Sequence, residues 1–122
     1  MMTGVDCVSP LDENRWTPAL RRLVFTDSEH RRFSVETAPV RLLNQLFAIK
    51  EACVKACVGA ALPPQIEVAV GMREARIVSR RGEDVPDGGC AFTVSTSSSK
   101  SGLTLAVAFR VTHPGFDKEC EA

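Results

Sequence analysis

Apolar residues recur along this chain in two rhythms, and the change from one to the other divides it. Near the start, "TGVDCV" alternates and is β-branched, which predicts a short strand with Val5 and Cys7 on one side and Asp6 with Val8 on the other. Pro10 ends it. A helix is expected over Pro18 to Val24, and "TDSEHRRF" follows with Thr26 as N-cap and Glu29 three residues on, the signature of a capping box. Leu43, Leu46, Phe47, Cys53, Val54 and Cys57 then recur at three- and four-residue steps. They predict a long helix from about Ala38 to Val58, with Pro39 in its first turn, Gly59 just past its end and "LPP" stopping it. From Ile66 onward the rhythm is that of strands: "IEVAV", "ARIVS", "CAFTVST" and "LTLAVAFRV", separated by "RRGEDVPDGG" and "SSSKSG". One strand, then helices, then an antiparallel sheet make an α+β fold, read as a single domain over residues 1–113 with a polar tail at 114–122.

Composition narrows the function classes. The chain has 122 residues, 44% hydrophobic, with 15 basic and 15 acidic residues, the balance of one ordinary globular domain. A neutral total argues against a nucleic-acid-binding module, which carries a strongly basic surface. No apolar run approaches the length of a bilayer span, and "MMTGVDC" lacks the basic and apolar regions of a signal peptide. A soluble, cytoplasmic protein without membrane contact is the expectation. Cys7, Cys53, Cys57, Cys90 and Cys120 are odd in number and match no disulfide framework. Cys53 and Cys57 share a helix face, as two zinc ligands do, but neither CxxC nor clustered histidine accompanies them, so buried thiols are the simpler reading.

The chemistry concentrates in "LFAIKEACVKA", Leu46 to Ala56. Lys50 falls on the apolar stripe and Glu51 at its margin. One reading is a snorkelling lysine beside an ordinary Glu51 to Lys55 surface pair. The other is that charges in such a stripe require a partner, an ion or an opening to solvent. Asp6 bears on the choice, because its strand is so short and apolar that it too should be largely covered. Two carboxylates on different core elements invite a hard cation such as magnesium, which takes oxygen ligands and is completed by substrate phosphates. A strand-end aspartate capping a turn is the plainer account of Asp6 alone.

"GVDCV", "VFTDSE", "FAIKEACVKA" and "VSTSS" before a final "LAVA" strand stand in the order seen in the 4'-phosphopantetheinyl transferases, and this chain resembles that family from Gly4 to about Val111. Its length is similar to the holo-acyl-carrier-protein synthase branch. The most specific element is KEAxxKA, here Lys50, Glu51, Ala52, Lys55 and Ala56.

The resemblance implies an enzyme that moves 4'-phosphopantetheine from coenzyme A to a serine of an apo acyl or peptidyl carrier protein, releasing adenosine 3',5'-bisphosphate. By motif, Asp6 and Glu51 would hold magnesium with the coenzyme A diphosphate, Lys50 would neutralise charge on it, and Lys55 would help bind the nucleotide phosphates. Either Glu51 or a metal-bound water would take the serine proton. Members of the branch act as trimers with shared sites, and their acidic carriers dock on a basic patch around the first helix. Arg15, Arg21 and Arg22, with Arg31 and Arg32, would form that patch here, unless they are simply a solvated helix face.

Three departures from the family pattern stand out. Ser98 occupies the histidine of the usual SxSH, Leu46 replaces the usual basic residue before the helix aromatic, and "VGMREARIV" lacks the usual glycine-proline turn. In compensation, the hydroxyls of "STSSSKSG", including Ser97 and Ser98, together with Lys100, would cradle a phosphate, unless the stretch is an ordinary hairpin loop. Beside an active transferase, of which the departures suggest a copy serving a specialised polyketide or peptide pathway, two other readings are open: the same fold performing other chemistry on a carrier-bound or phosphorylated ligand, and a non-catalytic carrier-binding or scaffold protein.

Overall fold

The alternating stretch at the start of the sequence forms β1 (Thr3–Val8), and it pairs antiparallel with the last of the described strands, β5 (Thr104–Val111). The computed structural model describes residues 3–8, 14–57, 61–78, 91–100 and 103–111. The turn "RRGEDVPDGG", Cys90, Cys120, Gly59 and the 114–122 tail lie outside them.

Between β1 and the sheet come the helices. α1 (Pro18–Val24) opens on Thr17, whose hydroxyl accepts the Leu20 amide at 3.1 Å. α2 (Asp27–Arg32) starts with the expected capping box, in which Thr26 and Glu29 each accept the other's backbone N–H at 3.0 Å. A 3₁₀ turn over Val35–Thr37 leads into α3 (Val40–Ala56). α3 begins later than expected. Ala38 is held extended, as a residue before proline is, and Pro39 is itself extended (ψ 144°) as the N-cap instead of lying in the first turn.

After a second 3₁₀ turn at Pro63–Gln65, the chain enters β2 (Ile66–Val68), β3 (Glu74–Ile77) and β4 (Ala91–Ser98). The sheet order is β1-β5-β4-β3-β2, with every neighbouring pair antiparallel, so the fold is α+β.

α3 buries its apolar stripe on one face of this sheet. Leu43, Leu46, Ile49, Ala52 and Cys53 are fully buried among Ile66, Phe92, Val94, Ala106 and Ala108. Each large aliphatic side chain there contributes about 1.5–3 kcal/mol of burial. Trp16 joins the core from the loop before α1, its ring N–H donating to Asn44 Oδ1 at 2.9 Å. The opposite sheet face stays open and apolar, with Val5 50%, Leu105 41% and Phe109 41% exposed. No described helix is long and apolar enough to cross a membrane.

Candidate active site

The site begins with a glycine. Gly4 is buried where β1 crosses α3, and a Cβ added there would stand 1.8 Å from the Ala52 carbonyl oxygen and 2.7 Å from the Ala56 amide nitrogen. The two backbones meet only because position 4 has no side chain and positions 52 and 56 have small ones. Two residues on, alternation returns Asp6 to the face that Gly4 occupies. Asp6 therefore sits against the last two turns of α3.

There it meets Lys55, whose Nζ donates to Asp6 Oδ1 at 2.6 Å and approaches the Val5 carbonyl at 3.3 Å. Asp6 is largely covered, at 14% side-chain exposure, whereas Lys55 is 54% exposed. The bond from Asp6 and its charge raise the Lys55 ammonium above its ordinary value. Glu51 is half-buried one turn before Lys55. Burial, and then the neighbouring Asp6 charge, push its carboxyl above the ordinary carboxylate range, against a smaller opposing pull from Lys55.

The structure thus brings Asp6, Glu51 and Lys55 together at one crossing. Two carboxylates that repel each other form a place where a cation is favoured, and their donors are hard oxygens, which fits magnesium. No group of three or more His, Cys, Asp or Glu gathers among the described residues, so a metal held here would depend on non-protein ligands, such as water and phosphate, for most of its coordination.

Lys50 is elsewhere. Its side chain points to the core side of α3 with 0% exposure, and its ammonium donates to Glu29 Oε1 and to the Ile66 carbonyl. It also lies 5.5 Å from the centroid of the Phe25 ring. Burial pulls this ammonium below its ordinary value, and Glu29 opposes the shift. The expectation that Lys50 faces a diphosphate beside Glu51 is corrected: consecutive helical residues point about 100° apart, and this one points inward. Neither the snorkelling reading of Lys50 nor the Glu51 to Lys55 surface pair describes the arrangement, because Lys55 bonds to Asp6.

Glu29 was visible in the sequence only as a capping residue. Here it is fully buried, and its second oxygen accepts the Val68 amide at 2.7 Å. The network continues through Thr26, whose hydroxyl donates to Glu67 at 2.7 Å, and Arg32, which donates to Glu67 at 2.9 Å.

The arginines divide. Arg21 is buried, and its guanidinium donates to the carbonyls of Trp16 (2.9 Å), Val35 (2.7 Å) and Glu36 (2.7 Å), stapling α1 to the 3₁₀ turn. Its assignment to a docking patch is corrected on that ground. Arg15, Arg22 and Arg31 are exposed, and Arg32 is paired with Glu67.

The β4–β5 hairpin divides as well. Asp6 pairs with Ala106, which pairs with Thr96, so these residues form one row on the helix-facing side. Two rows on, Ser98 pairs with Thr104, and their hydroxyls lie 3.3 Å apart. Ser97 pairs with Leu105 in the row of Cys7, on the opposite face, which removes it from the Asp6 side. Lys100 is exposed in the turn. Thr96, one of the hydroxyls of "STSSSKSG", is the one in Asp6's own row, and only the strand register distinguishes it from its neighbours.

Two of the described cysteines, Cys53 and Cys57, behave as small hydrophobes. Cys53 and Cys57 are free and buried, and burial pushes the Cys53 thiol up to about 12, while Cys7 is free and exposed. A cavity of about 500 Å³ lies away from the crossing, over β2, β3 and β4, lined by residues including Arg32, Glu67, Arg76 and Phe92.

No curated protein matches the chain. A family model does, over residues 2–88, a span that contains β1, all three helices and thus Gly4, Asp6, Glu51 and Lys55, but neither β4 nor β5. That match covers well over half of the sequence, and the chain belongs to the 4'-phosphopantetheinyl transferase superfamily.

Proposed function

We propose that this protein transfers 4'-phosphopantetheine from coenzyme A to a serine hydroxyl of an apo acyl or peptidyl carrier protein, releasing adenosine 3',5'-bisphosphate. Superfamily membership gives the reaction in general terms. The observation that supports this site for it is the meeting of Asp6, Glu51 and Lys55 where β1 crosses α3.

Asp6 and Glu51 would hold magnesium, which supplies charge neutralisation at the coenzyme A diphosphate when bound. Lys55, bonded to Asp6 yet half-exposed, would offer a positive donor to a phosphate oxygen beside the crossing. The serine proton would pass to Glu51 or to a water held by the metal. Ser98 and Lys100, at the tip of the β4–β5 hairpin, are the candidates for binding the nucleotide phosphates, with Thr96 as the nearer hydroxyl. Arg15 and Arg22 are the candidates for receiving an acidic carrier. The open face carrying Val5, Leu105 and Phe109 supports assembly as a homotrimer.

The test is direct. The protein is incubated with coenzyme A, magnesium and a panel of apo carriers, and carrier mass is measured. A mass gain of one phosphopantetheine on at least one carrier is expected; no gain on any carrier sinks the proposal.

A further inference from the structure

We infer that Lys50 is a positioning residue: its buried ammonium, clamped between Glu29 and the Ile66 carbonyl, sets the rotation of α3 about its own axis so that Glu51 faces Asp6. What Glu51 does once it faces Asp6 rests on the proposed function; the clamp itself rests on geometry.

The ammonium refers three elements to one point. It leaves α3, bonds to Glu29 of α2 and bonds to the backbone at the start of β2. Glu29 in turn accepts the Thr26 amide at 3.0 Å and the Val68 amide at 2.7 Å, so the carboxylate that receives Lys50 is itself held on both oxygens. Neither partner has any solvent exposure. Because side chains on a helix are tied to one backbone, fixing the direction of Lys50 fixes the direction of its neighbour Glu51.

An apolar residue would not do this. Leu46, Ile49 and Cys53 surround position 50 on the buried side of α3, and apolar contacts of this kind tolerate small shifts because they carry no direction. A buried ion pair is no better for stability than well-packed hydrophobic residues, and replacing the whole pair is often neutral or stabilising. What the pair adds is direction, because the ammonium must point at two acceptors on two other elements at once. Gly4 supplies the complementary constraint, by setting how closely β1 approaches Ala52 and Ala56. Closeness and rotation together place the carboxylates of Asp6 and Glu51 in one another's field.

The experiment compares the full-length protein with two variants, Lys50→Met and Lys50→Met with Glu29→Gln. The single variant leaves Glu29 buried without its cation and should unfold at lower urea. The paired variant removes both charges, retains an oxygen at position 29 and should recover most of the urea midpoint; Lys50→Leu with Glu29→Leu is the second pair if it does not. In whichever pair folds, side-chain contacts between Glu51 and Asp6 are read by nuclear Overhauser effects, and Mn2+ alone is titrated by electron paramagnetic resonance. The Glu51 to Asp6 contact should be lost and Mn2+ affinity should fall by about ten- to a hundredfold. The transfer rate should fall in kcat, with KM for the carrier unchanged. A folded pair that keeps the contact and binds Mn2+ as tightly as the unmodified protein overturns the positioning role. Failure of the unmodified protein to modify any carrier would instead sink the proposed function, with the contact measurement still deciding the clamp.

Discussion

Gly4 and Ala52 are so close that a single methyl group on the glycine would occupy the position of the Ala52 carbonyl oxygen, 1.8 Å away. The obstacle is backbone, so no rotamer change relieves it. Gly4→Ala should force β1 away from α3 and cost about 2 kcal/mol or more in urea unfolding. Because Asp6 rides on the same strand, the variant should also lose Mn2+ binding at temperatures where it is still folded. A variant of unchanged stability would show that β1 is free to shift along α3.

Glu51 should be expensive to keep. Its carboxyl is raised above the ordinary 4.5, so the folded chain holds the proton more tightly than the unfolded chain does. Its contribution to stability is therefore greatest below the ordinary carboxylate value and falls as pH rises through the raised folded value. Glu51→Gln should raise the thermal midpoint of the metal-free protein near neutral pH, with the gain fading in acid. Transfer should drop by about a hundredfold or more. A destabilising substitution at neutral pH would contradict the burial and repulsion assigned to this group.

Lys55 and a metal ion would compete for Asp6. The ammonium sits 2.6 Å from Asp6 Oδ1, so removing its charge should leave that carboxylate freer for a cation. Lys55→Gln should tighten Mn2+ binding while slowing transfer, and its urea midpoint should scarcely move because the side chain is exposed. Weaker Mn2+ binding would place the cation away from Asp6.

Arg21 and Arg22 are adjacent and should behave oppositely. Arg21→Met strands the carbonyls of Trp16, Val35 and Glu36 and should cost about 2–4 kcal/mol of stability. Arg22→Glu leaves an exposed position exposed, so it should unfold as the unmodified protein does. It should instead slow association with an acidic carrier by about tenfold at low salt, an effect that salt erases. Stability loss at Arg22 with unchanged carrier kinetics would remove this helix from the docking surface.

What the sequence disclosed was local. The capping box at Thr26, the α1 boundaries and the facing of Asp6 away from Val5 each depend on residues a few positions apart, and each appears in the fold. The motif that carried Lys50 and Glu51 was visible, but motif adjacency was mistaken for spatial adjacency, because the acceptor of Lys50 lies 21 residues away on another helix. Arg21 was misplaced for a related reason: its acceptors are backbone carbonyls, which no residue type announces. The separation of Ser97 from Ser98 required the register of β4 against β5, a pairing that alternation within either strand does not specify.

β1 pairs with β5, and all of α3 lies between them in sequence. During synthesis, Asp6 emerges before the residues that form β5, the strand it pairs with. The helix bearing Glu51 and Lys55 is available long before its partner strand is fixed. A ribosome-bound chain arrested before Thr104 should therefore carry Asp6, Glu51 and Lys55 without the strand pairing that helps hold Asp6 in place.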